Sequence, residues 1–185
     1  MATTTEQFTD TIINVVDFFK PEAMGRVRRY IIDLPHLDLD ADLVAEDVHA
    51  EFRLLRVGSG LLAEGTVRAT VELECVRTLE PFPETVTAEF AEQFRPTIEA
   101  TTGRVIRHED EDEDDVAALD SFILSENHEL DMEEPLRQVI IVSLPMQPIK
   151  PGTHEIHLDE TGTGAAEARA NPFMALEALL QDDEG

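Results

Sequence analysis

From Val48 to Cys75 the chain alternates apolar and polar residues with a period of two, interrupted at Gly58-Ser59-Gly60. Val48, Ala50, Phe52 and Leu54 fall on one side, and His49, Glu51 and Arg53 on the other. After the glycines, Val67, Ala69, Val71, Leu73 and Cys75 oppose Thr66, Arg68, Thr70, Glu72 and Glu74. Successive strand side chains point to opposite faces, so this pattern predicts two strands with one buried face, joined at the Gly-Ser-Gly turn. Pro81 and Pro83 break the alternation; Val86, Ala88 and Phe90 resume it against Thr85, Thr87 and Glu89. Upstream, RVRRYIIDLPHLDLD alternates through Val27, Tyr30, Ile32 and Leu34, with a phase slip at Arg29 that predicts a bulge. The expectation is an antiparallel meander of at least four strands.

Helical spacing occurs twice. Leu136, Val139, Ile140 and Leu144 make one stripe, ended by Pro145, and Phe173, Leu176, Leu179 and Leu180 make another after Asn171-Pro172. The first helix starts either at an Asp131/Glu134 capping box or with Pro135 at its first position. Nearer the N-terminus, INVVDFFK reads as a short strand running into one helical turn, stopped by Pro21. The predicted class is α+β: the meander, with partial closure into a barrel left open, and two packed helices at about 131–144 and 172–181. One domain spans 1–185, with flexible segments at 1–11, 108–118 and 151–170. The middle segment holds seven consecutive acids, Glu109 to Asp115, which no packed element can bury.

Charge narrows the function. The net charge is −26, with −6 over residues 1–77 and −20 over 78–185. Nucleic-acid affinity comes largely from neutralising phosphates, so such a chain is repelled by bare RNA unless its arginines are gathered on one face. Arg26, Arg28 and Arg29, beside Tyr30, are the densest cluster; the competing account is that they offset the protein's own acid. An acidic surface more naturally meets a basic protein. No P-loop, GxGxxG, GxSxG or HExxH is present, and we expect no enzyme, cofactor or small-molecule substrate. The longest unbroken aliphatic run, Val139 to Val142, cannot span a membrane, and Glu6 and Asp10 stand where a signal peptide would be apolar. With a single cysteine, this points to the cytoplasm.

Three segments in order resemble the YceD family. In VELECVRTLEPFPETVTAEFAEQF the matching residues are Cys75, Arg77, Leu79, Phe82 and the run Glu89 to Phe94. LDMEEPLRQVIIVSLPMQPIK is similar to the family's acidic-pair helix followed by Leu-Pro-x-x-Pro, and NPFMALEALL to its closing Pro-Phe and Leu-rich segment. The resemblance implies a bacterial ribosome biogenesis factor that supports large-subunit ribosomal RNA accumulation. Its partner would be the precursor large subunit, met either through a ribosomal protein or through a protein–RNA composite surface with the arginines of 26–29 at its edge. Many members carry two cysteine pairs suited to zinc; here those positions fall on Cys75, Thr78, Lys150 and His154, so no metal is expected. Arg77, with Arg26, Arg28 and Arg29, is a candidate partner or RNA contact. The alternative is an acidic adaptor or nucleic-acid mimic that binds a basic protein unrelated to ribosomes.

Overall fold

The computed structural model describes residues 5–20, 23, 25–99, 102–106 and 121–153. The chain divides into two compact units, Met1–Pro151 and Gly152–Gly185, and the fold below is that of the first. Its strands are β1 (Thr5–Phe8), β2 (Ile12–Asn14), β3 (Val27–Asp40), β4 (Leu43–Val57), β5 (Gly60–Glu74), β6 (Pro81–Arg95), β7 (Phe122–Ile123) and β8 (Glu129–Asp131). A single 3-10 turn covers Val16–Phe19, and one helix, α1, covers Glu133–Ser143.

The long strands form a six-stranded sheet in the order β1-β3-β4-β5-β6-β7, and β2 pairs with β8 in a small antiparallel ribbon. β3 to β6 are the expected meander, each antiparallel to the next. The hairpin between β4 and β5 turns at Gly58, whose φ of +59° suits a glycine. Alternation sorts the faces: Tyr30, Ile32, Phe52, Leu54, Leu61, Val67, Phe90 and Phe94 are buried, while Arg53, Thr87 and Glu89 are exposed. α1 lies on the buried face against β6, β3 and β5. Leu136 and Ile140 are fully buried there, each contributing about 2 kcal/mol of apolar transfer.

Several expectations are corrected. The class is mostly β with one helix among the described residues, not α+β with two packed helices, because four strands of 14 or 15 residues build the sheet and one 11-residue helix lies on it. The stripe at 172–181 lies outside the described residues. The sheet is not a closed barrel: its edges are the short strands β1 and β7, each parallel to its only neighbour, and they do not pair with each other. No bulge occurs at Arg29; β3 and β4 stay in register from Val27 to Leu34, and Val27 is simply exposed. The β3–β4 register shifts instead between Asp38 and Asp40, and the β4–β5 register between Glu46 and His49, where Asp47 takes φ +51°. α1 begins at Glu133, whose N–H donates to the Asp131 carboxylate at 2.9 Å, so Pro135 is the third helical residue and not the first. Within the segments expected to be flexible, Thr5–Phe8 forms β1, and most of 108–118 and 151–170 lies outside the described residues. No helix among the described residues is long and apolar enough to cross a membrane.

Candidate functional site

β5 ends at Glu74, and the next six residues turn the chain into β6. The turn closes on itself: Leu79 N–H donates to the Cys75 carbonyl at 2.8 Å, and Cys75 N–H donates to the Glu80 carbonyl at 2.9 Å. The strip of chain that follows α1 lies against it. Val76 N–H donates to the Pro148 carbonyl at 2.9 Å, and Lys150 N–H donates to Cys75 Sγ at 3.4 Å. The Lys150 ammonium reaches the Glu80 carboxylate at 2.8 Å and holds its pKa below the usual glutamate value. Together these contacts form a clasp between the β5–β6 turn and the 148–150 strip.

Cys75 is fully buried, and hydrogen-bond donors converge on its sulfur. The Thr78 hydroxyl has the largest effect, followed by the Lys150 N–H, with the N–H groups of Arg77 and Thr78 adding to them. Donors stabilise a thiolate, burial opposes it, and here the donors win: the pKa is lowered to about 6. Three of the four positions implied by the resemblance, Cys75, Thr78 and Lys150, are therefore brought together, and His154 lies outside the described residues. They do not fit zinc. One sulfur, a hydroxyl and an ammonium lack the deprotonated soft ligands that a tetrahedral site needs. Among the described residues no three His, Cys, Asp or Glu side chains are grouped to hold a metal.

The expected arginine cluster is split. Arg28 turns toward the buried side, 23% exposed, with its guanidinium 5.4 Å from the Phe18 ring centroid and within 3.4 Å of Asp17 and 3.9 Å of Glu6. It is occupied by the protein's own acids. Arg26 and Arg29 are exposed, and among the described residues their side chains make no ion pair or hydrogen bond. Arg29 stands directly opposite Arg53, which is bridged to Glu64 at 2.6 Å. Arg77 is exposed in the Cys75 turn and makes an interaction of its own. Ten strand residues separate the Arg29–Arg53–Glu64 row from the end of β5, about 30 Å at the usual strand rise, so Arg77 and Arg29 cannot grip one phosphate.

Sequence reasoning missed one arrangement. His49 Nδ1 lies 2.6 Å from Asp33 Oδ1, and Gln7 Nε2 donates to Asp33 Oδ2 at 2.7 Å, tying β1, β3 and β4 together on the outer face. These hydrogen bonds, that from His49 foremost, hold the Asp33 pKa below the usual aspartate value. With Leu34, Pro35, Asp47 and Val48 the pair lines a shallow cavity of about 300 Å³. Only strand register joins residues 16 apart in this way; the signal available in the sequence was the shared outward phase of Asp33 and His49. The lining has no hydroxyl or thiol nucleophile and no lysine or arginine to hold an anion.

Comparison with known proteins gives one match. The sequence profile described as "Large ribosomal RNA subunit accumulation protein YceD" matches residues 63–180, from within β5 through the Cys75 turn, β6 and α1. No curated protein and no solved structure matches the chain. A profile covering well over half the sequence, and containing the clasp, settles membership: the chain belongs to the YceD family of large ribosomal RNA subunit accumulation proteins.

Proposed function

We propose that this protein is a non-enzymatic ribosome biogenesis factor of the bacterial cytoplasm. It supports large-subunit ribosomal RNA accumulation by acting as an acidic scaffold on the precursor large subunit. Its main hold is on a ribosomal protein, with Arg26 and Arg29 meeting nearby RNA at the edge of that contact. The observation that carries this reading is the family match taken together with the net charge of −26. Such a charge repels a phosphate backbone and attracts the basic proteins that coat it. The commitment of Arg28 to Asp17 and Glu6 supports a protein-led contact, since it removes the centre of the one cluster that could have gripped RNA alone.

The test is sucrose-gradient sedimentation of a gentle lysate containing the tagged full chain, with mass spectrometry and RNA analysis of its peak fractions. We expect comigration with precursor large subunits. A peak confined to the top of the gradient, beside a basic protein unrelated to ribosomes, would replace the scaffold with an acidic adaptor.

A further inference from the structure

Thirteen large apolar side chains among the described residues are exposed, and six of them, Val76, Leu79, Ile141, Val142, Met146 and Ile149, belong to the clasp and the chain that leads into it. The Val76–Pro148 and Lys150–Cys75 hydrogen bonds set 76–79 beside 148–150, and residues 141–149 run from the last turn of α1 directly into that contact. Leu79 is 68% exposed, Val142 85% and Met146 fully exposed. Leu79 also takes φ +57°, a conformation that favours glycine or asparagine and costs a branched side chain about 1 kcal/mol. The turn holds a leucine in a disfavoured conformation and gains no core packing from it. Six exposed apolar side chains drawn from two short segments that hydrogen-bond to each other are more than single scattered residues, and grouped apolar exposure of this kind marks an interaction site.

The cations beside the patch are occupied: the Lys150 ammonium sits on Glu80, and Arg137 bonds to Glu133 and Glu134. Among the described residues acids outnumber bases, so the field around the patch is negative. That field repels nucleic acid, and none of the six side chains is aromatic, so bases would find no stacking platform. It equally repels a second copy of this chain.

We propose that this patch docks a lysine- and arginine-rich segment of a partner protein, which sets an apolar side chain against its exposed residues, Leu79, Val142 and Met146 among them. The proposal rests on the scaffold reading above and names the surface through which the scaffold holds its protein partner. Two full-length derivatives test it, carrying the photo-crosslinker p-benzoylphenylalanine in place of Met146 or of Thr87 on the opposite, polar face. The double variant Leu79→Asn, Val142→Asn is sedimented in parallel; asparagine tolerates the φ of position 79, so its melting temperature should match the wild type. We expect Met146-site adducts on a basic protein segment, few from Thr87, and a loss of precursor association of about tenfold in the double variant. Adducts to RNA alone, or a double variant that associates as well as wild type, would overturn the patch while leaving the scaffold reading intact. Adducts on a basic protein outside precursor fractions would uphold the patch and remove the ribosomal reading.

Discussion

Phe52 and Phe90 belong to strands that are not neighbours, β4 and β6, yet their ring centroids lie 6.0 Å apart. The residue between them, in register with both, is Gly65 on β5. A Cβ built on Gly65 would lie 2.4 Å from the Phe52 Cβ and 2.2 Å from the Glu51 carbonyl oxygen, so no side chain fits without moving backbone. Through that gap the aromatic row Phe8, Tyr30, Phe52, Phe90 crosses the sheet. Gly65→Ala should therefore destabilise the fold by about 3 kcal/mol or more, as much as truncating a buried phenylalanine. Equilibrium urea unfolding measures it, and a cost below about 1 kcal/mol would mean that the strands part easily at this point.

Tyr30 in the same row is 1% exposed, and its hydroxyl makes no hydrogen bond of good geometry among the described residues, although the Arg28 guanidinium is near enough to oppose the rise that burial gives its pKa. The nearby Arg28 guanidinium is directed to Asp17 and Glu6. A buried polar group without a partner carries a desolvation penalty that its removal relieves. Tyr30→Phe should be neutral or stabilising by up to about 1 kcal/mol in the same unfolding assay. A loss of more than about 1 kcal/mol would show that the hydroxyl makes a bond in solution.

The sheet was legible in the sequence because its chemistry repeats: Val48 to Leu54 and Val67 to Cys75 keep one phase, and a one-residue slip would bury Glu and Arg. Tertiary overrides were not legible. Arg28 shares the buried phase of Tyr30, but that its stem would cover Phe18 and its charge would meet Asp17 depends on how the 3-10 turn packs against β3. Likewise, alternation puts Cys75 on the apolar side, but only the folded chain shows Lys150, 75 residues away, donating to its sulfur. The class was less legible: a helical stripe shows that a helix forms but not how little of the fold it makes up, and here strands of 14 or 15 residues set the architecture while α1 lies on their buried face.

The split among the arginines makes a stability prediction separable from function. Arg28→Ala loses a cation–π contact with Phe18, the stem packing and two carboxylate partners, and should cost about 1–2 kcal/mol. The double variant Arg26→Glu, Arg29→Glu touches exposed side chains and should stay within about 0.5 kcal/mol of wild type. Thermal melts distinguish them. If the exposed pair destabilises as much as Arg28→Ala, those side chains carry structure that their exposure hides.

The clasp makes the protein sensitive to pH through one thiol. With its pKa lowered from 9.0 to about 6, Cys75 binds its proton more weakly in the folded chain than in the unfolded one. Stabilisation from the thiolate is therefore complete above about pH 9, declines as pH falls toward 6, and is absent below it. Thiolate absorbance at 240 nm should titrate near pH 6 in the native protein and near 9 in urea. Removing the strongest donor with Thr78→Val should move the native midpoint upward. The pH slope of wild-type stability between 6 and 9 should flatten in Cys75→Ala once the background of the other groups is subtracted. A native midpoint that stays near 9 would mean that the Thr78 hydroxyl and the Lys150 N–H do not hold the sulfur as a thiolate, leaving Val76–Pro148 and Lys150–Glu80 as the contacts that close the clasp.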